Sequence, residues 1–414
     1  MLKLGYKLMS EEHGPLALVR NATRAEQAGF DFAAISDHFF PWLEEQGHAP
    51  FAWSVLGALA NATRRMALMT AVTCPIMRYH PAIIAQATAT MALLSNGRFT
   101  LGLGAGERLN EHVIGAGWPG RGERQERFAE AIEIIQGLLA GELTNYRGRY
   151  FQLDHARLFD RPNSKPPVAI AAGGIEAARL AGRKGDALVA TEARSDLVKA
   201  FISAGGSGPR YAEVALCYAE HVEAARKTAH RYFRWSVTGW PVMAELPDTE
   251  GFAAASKHVS SETVSQLISC GPSAEHHLQA IERYVTAGYD HIVLVCRSDR
   301  SKMGSSNFSS ASSPPRSPIA RPHRRPARAF SMRHARAFSV MPTRGAGIHV
   351  LFSSRRKRRG WPSRTSSSKD LPDRLIVIDH VHEGLVRLHH DILLQRRPQG
   401  EAKDRSRRRD CLRL

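Results

Sequence analysis

Residues 66–106 read MALMTAVTCPIMRYHPAIIAQATATMALLSNGRFTLGLGAG. An apolar, β-branched run, Met66–Thr73, leads into Pro81–Leu94, where apolar residues recur at three- and four-residue spacing, and then into a second short run, Phe99–Gly104. Strand, amphipathic helix, strand is the pattern of a βα unit feeding a parallel sheet. The alternation extends in both directions. Upstream lie candidate strands Lys3–Leu8 and Asp31–Ser36 with helix Leu16–Ala28 between them. Downstream lie strands Pro167–Ala172, Asp186–Thr191, Glu213–Tyr218 and His291–Val295, with helices such as Glu123–Leu139 and Ala274–Ala287. Eight strands with interposed helices fit a closed (β/α)8 TIM barrel better than an open doubly wound sheet. Only Glu142–Phe159 breaks the rhythm, with period-two apolar residues around a glycine, and it reads as a hairpin-like insertion.

The charge divides the chain in two. Lys+Arg 57 against Asp+Glu 39 gives a net +18, which alone would suggest a nucleic-acid binder. Residues 301–414 carry 26 Lys+Arg and 8 Asp+Glu, the whole of that excess, so residues 1–300 hold 31 of each. From Ser301 the composition turns to Ser, Pro and Arg, as in SSNFSSASSPPRSPIARPHRRPARAF. Such text buries too little apolar surface to offset the entropy of ordering, so 301–414 is expected to be a disordered tail beside a 1–300 domain. A short island, Leu371–Leu394, is too small for its own core. Two readings of the tail stand side by side. A basic arm could grip phosphate backbones by charge alone. Alternatively the bases are read out of frame after about residue 300, which the missing helix after His291–Val295 favours and the coding DNA would decide.

Other classes fall away. Hydrophobic residues make up 43% and no run approaches the roughly 18 uncharged apolar residues of a spanning helix, so no membrane span is expected. The start, MLKLGYKLMSEEHG, lacks the layout of a signal peptide. The five cysteines form no CxxC pair. The chain reads as cytoplasmic. No HExxH or comparable spacing appears, so no metal is expected.

In such barrels the reacting groups stand at the carboxyl ends of the strands. The second strand ends in Ser36-Asp37-His38-Phe39-Phe40-Pro41-Trp42, which puts a carboxylate, an imidazole and an indole at the rim. Histidine accepts a proton near neutral pH and aspartate can anchor a ligand; a surface loop with packed aromatics fits the same letters. The fourth strand runs Leu101-Gly102-Leu103-Gly104-Ala105-Gly106-Glu107. Its glycines suit a flat ligand against the backbone, or a strand kept slim for packing. It is neither a dinucleotide fingerprint nor a P-loop. Ala171-Ala172-Gly173-Gly174-Ile175 ends the fifth strand and opens a helix, which suits an anion or is an ordinary βα turn.

Together these pieces resemble the luciferase-like flavin and deazaflavin oxidoreductases, most closely the branch of coenzyme F420-dependent glucose-6-phosphate dehydrogenases. The resemblance covers about residues 1–296 and is carried by LGYK, ISDHFFPW with GHAPF, AVTCPIMRYHPAIIAQATATM, LGLGAGERLNE, IAAGG and CGPSAEHHLQAIERYVTAGYDH. It implies a luciferase-like barrel, coenzyme F420 as cofactor with FMN and a monooxygenase as the alternative, a small-molecule substrate and a homodimer. It makes His38 the base, Trp42 the residue packed near the reacting centre and Glu107 the acid that protonates the reduced cofactor. Asp37, Val72, Cys74, Ala105, Gly106, Asn110, Gly173 and Gly174 fall at cofactor positions. Glu11, Thr191 and Arg194 fall toward the substrate. A cis peptide is implied near Ala71-Val72. Cys74 stands where the sugar-phosphate enzymes have a Thr, and Gln266 and Leu267 stand where an Arg is expected, so a different alcohol, aldehyde or sugar-type substrate is implied.

Overall fold

The computed structural model describes residues 2–141 and 144–298. The tail, its island and whatever follows the last strand lie outside the described residues. Strands are β1 (Lys3–Leu8), β2 (Phe32–Ile35), β3 (Ala67–Thr70), β4 (Phe99–Leu103), β5 (Thr144–Arg147), β6 (Gln152–Ala156), β7 (Val168–Ala171), β8 (Ala187–Ala190), β9 (Arg210–Tyr218), β10 (Ser269–Cys270) and β11 (His291–Ser298). Helices are α1 (Pro15–Gln27), α2 (Ala52–Ala62), α3 (Pro81–Leu94), α4 (Arg108–Glu111), α5 (Arg121–Ala140), α6 (Ile175–Lys184), α7 (Ser195–Ser203), α8 (Val222–Phe233), α9 (Trp240–Met243), α10 (Thr249–Ala255), α11 (Ser261–Leu267) and α12 (Ala274–Ala287).

Eight parallel strands close on themselves in the order β1-β2-β3-β4-β7-β8-β9-β11, with β11 pairing back to β1 and β8 to β9. The fold is a TIM barrel. Each expected strand is present, displaced by at most three residues at its ends, and the insertion is the antiparallel β5–β6 hairpin. One stretch differs from expectation. Between β9 and α12 the chain makes an excursion through α8 to α11 and adds a two-residue rung, β10, in register with Leu216 and Cys217 of β9. Among the described residues no helix is long and apolar enough to cross a membrane.

Alternation along the strands sorts the core into two layers. Outward residues such as Ile35, Leu68, Phe99, Leu101, Ile170 and Leu294 pack under the helices. Inward residues fill the lumen with Phe32, Met69, Val189, Tyr211 and Val293 among many alanines. Gly5 is needed there, since a Cβ would lie 2.3 Å from the Phe32 ring. α3 begins with Pro81 behind His80, whose Nδ1 accepts the Ala82 amide hydrogen at 3.2 Å. These devices fix the strand ends, and therefore the rim.

Candidate active site

Four adjacent strands, β1 to β4, converge at the rim. His38, three residues past β2, has Nδ1 3.2 Å from the Phe40 carbonyl and 3.4 Å from Glu11 Oε1, which follows β1. A carbonyl can only accept, so Nδ1 carries the hydrogen of the neutral ring and Nε2 the lone pair. Nε2 faces Glu107 Oε1, beyond β4, at 3.8 Å. Trp42 stands edge-on to the imidazole at 4.8 Å and is itself stacked on Trp235 at 4.3 Å. The excursion after β9 thus walls the site on the His38 side.

The expected residues separate into those at the mouth and those behind it. Asp37 stands behind the mouth: its side chain is 0% exposed and both carboxylate oxygens are engaged. Trp53 and Thr73 donate to Oδ2 at 3.2 and 2.7 Å, and Tyr79 and Arg78 to Oδ1 at 2.9 and 3.2 Å. With two donors on each oxygen, its side chain ties the rim together. Asn110 lies at the junction of two rim loops. It is buried, its Oδ1 accepts the amides of Phe39 and Phe40 at 2.7 and 2.9 Å, and its Nδ2 donates to Glu107. It ties the β2 loop to the β4 loop. Cys74 is buried against Gly106, and burial followed by the charges of Glu111 and Glu107 pushes its thiol well up, so it stays a neutral thiol.

The two glycine runs have different causes. A Cβ on Gly102 would lie 2.0 Å from the Thr70 carbonyl oxygen, and one on Gly104 2.6 Å from a Val72 methyl. Gly106 has φ +73° and would strike Cys74 Sγ. Slimness is therefore demanded by β3 and its continuation. Val72, after a cis peptide from Ala71 as the resemblance implies, and Ala105 remain half-buried at the mouth. Gly173 and Gly174 differ: a Cβ on either would meet nothing within 4 Å, so bare backbone faces open space where α6 begins. Thr191 and Arg194 lie beside that opening, past β8, across the mouth from β2. Arg194 is gripped by Asp196 at 2.6 and 3.1 Å and donates to the Gly173 carbonyl at 3.2 Å, so it belongs with the glycine pair and not with His38.

Arg78, Tyr79 and Glu111 were not foreseen. Arg78 bonds the Asp37 carbonyl at 2.7 Å, and its own amide donates to Glu111 Oε2 at 2.9 Å. Glu111 is pushed up to about 7, by burial first, with Arg78 pulling the other way. The only sequence signal was an MRYH run after an apolar strand, where an arginine cannot be told from a surface one.

The luciferase-like monooxygenase family matches residues 4–291. The chain belongs to this family. Among its relatives, the F420-dependent glucose-6-phosphate dehydrogenase of Amycolatopsis mediterranei is 48% identical over 195 residues, 47% of this chain and 59% of that protein. The enzyme of the same name from Beutenbergia cavernae is 36% identical over 306 residues, 71% of this chain and 91% of the other. Among solved structures, an F420-dependent secondary alcohol dehydrogenase with an F420-acetone adduct is similar at 29% identity and TM-score 0.68, covering 72% of this chain and 94% of that one. The coenzyme F420-dependent tetrahydromethanopterin reductase of Methanopyrus kandleri, at 20% identity and TM-score 0.58 over 71% of this chain and 93% of that one, is similar in fold.

Proposed function

We propose that this luciferase-like chain is a coenzyme F420-dependent oxidoreductase acting on an alcohol or the corresponding carbonyl compound. The observation that carries the reading is the pairing of His38 Nε2 with Glu107 across the mouth. The residues fit the cofactor: Gly173 and Gly174 leave exposed backbone at a helix start, a place suited to an anionic group, and their bareness answers to no protein neighbour. Val72 and Ala105 offer an apolar flank for a flat ring. When bound, the deazaflavin gives or takes the hydride.

This chain's residues handle the protons. The Nε2 lone pair takes the hydroxyl proton of an alcohol as the carbon is oxidised, or returns it in reverse. Glu11, at Nδ1, steadies the imidazolium that results. Glu107, fixed by Asn110, is the second proton carrier at the mouth. Trp42 and Trp235 exclude water on that side. With Arg194 held by Asp196 and Leu267 exposed on α11, no phosphate grip is assembled from these positions among the described residues, and we assign a non-phosphorylated alcohol. α2 and α3 contain no charged residue, yet Phe51, Ile83, Leu93 and Leu94 are exposed there; this face supports a homodimer.

Fluorescence titration of the purified protein tests the cofactor, and tight FMN binding with none of F420 overturns the reading. His38→Asn is expected to lower kcat by about 10²–10⁴ with F420 affinity retained. Uncharged secondary alcohols are expected to surpass glucose 6-phosphate in kcat/KM.

A further inference from the structure

An ion pair spans the lumen beneath the mouth. Lys7 projects inward from β1 with its side chain 5% exposed, and its Nζ lies 2.5 Å from Glu213 Oε1 of β9. The same Nζ donates to the Ala71 carbonyl at 2.9 Å, at the carboxyl end of β3. The neighbouring lumen residues, Ala34, Met69, Val189 and Val293, are apolar.

Stability does not account for such a pair, because a buried ion pair can commonly be exchanged for apolar residues at no loss, or with a gain. What an apolar residue could not supply is the donor to Ala71. On either side of that carbonyl the backbone is already committed: the Ala71 amide donates to Ile35 on β2 at 2.8 Å, and the Thr73 amide to Gly102 on β4 at 2.9 Å. The carbonyl itself turns into the lumen. It precedes Val72, whose methyl groups reach to 3.2 and 2.6 Å of where a Cβ would stand on Gly102 and Gly104. Val72, two residues past β3, is half-buried beside the lumen residues at that end.

We infer that Lys7 is a positioning residue: by holding the Ala71 carbonyl it fixes the Val72 flank of the ring seat, with Glu213 as its counter-charge. This rests on the F420 reading above. Glu213 serves to aim the ammonium from β9.

The test compares Lys7→Met with the double variant Lys7→Met/Glu213→Leu, following thermal unfolding, F420 affinity by fluorescence, and hydrogen exchange of residues 69–76 in the ligand-free protein. Lys7→Met strands a buried carboxylate and is expected to lower the Tm. The double variant removes both charges and is expected to regain the Tm. It should still bind F420 at least tenfold more weakly and exchange the 69–76 amides at least tenfold faster, with KM for the alcohol unchanged at saturating F420. A double variant with wild-type affinity and wild-type exchange makes the pair merely structural and overturns the inference. Failure of the unmodified protein to bind F420 overturns the cofactor reading instead, while the exchange measurement still decides whether Lys7 holds the segment.

Discussion

Glu111 shows how one side chain can set a pH dependence without touching a ligand. Its carboxyl ordinarily ionises near 4.5, and burial pushes it up to about 7 in the folded chain, against the pull of Arg78. Between those values the folded state keeps a proton that the unfolded state has released, so stability falls as pH rises through that window. At about 1.4 kcal/mol per unit the loss is on the order of 3 kcal/mol. Glu111→Gln is expected to flatten the slope, which urea midpoints between pH 5 and 8 would show; equal slopes in both proteins would refute it. His38, Trp42 and Glu107 were legible in the sequence because strand ends and residue type name them. The engagement of Asp37 was not, since it depends on Trp53, Arg78 and Tyr79 arriving from elements that letters alone do not bring together.

At the scale of elements, Glu26 on α1 holds the entry to β3. Its carboxylate accepts the amides of Arg64, Arg65 and Met66 at 2.9, 2.7 and 2.8 Å, a turn of three donors answered by one side chain. Burial is the largest single influence and raises its pKa, but the three amides together with the Arg65 charge outweigh it and lower the carboxyl below its usual value. Glu26→Ala is expected to cost about 1–2 kcal/mol, read as a lower denaturation midpoint at pH 7; because the folded value is depressed, the difference should shrink as pH falls below 4.5. The eight barrel strands could be read because short apolar runs alternate with amphipathic helices along most of residues 1–300. α9 and α10, four and seven residues long, carry two turns of periodicity or fewer, so the excursion that brings Trp235 and Phe252 against Trp42 left little trace.

For the whole molecule, the uncharged outer surface of α2 and α3 makes a prediction about assembly. Ile83 is 56% and Leu94 55% exposed. If two copies meet there, Ile83→Glu with Leu94→Glu should convert a dimer to a monomer in light scattering; an unmodified chain already monomeric at micromolar concentration would remove the proposal. The split between a neutral 1–300 and a basic remainder was plain from counting charges, and β11 runs to Ser298, next to that boundary.

The closing seam of the barrel joins residues 3–6 to residues 291–294. On the ribosome, where synthesis proceeds at roughly 5–20 residues per second, β1 is extruded some 15–60 s before the segment that will shield its far edge. For that interval a nascent chain carries an open ladder of amides and carbonyls, available to any neighbouring polypeptide. Chaperone holding during translation is therefore expected to raise the yield of folded protein by shielding that edge until the final strand arrives.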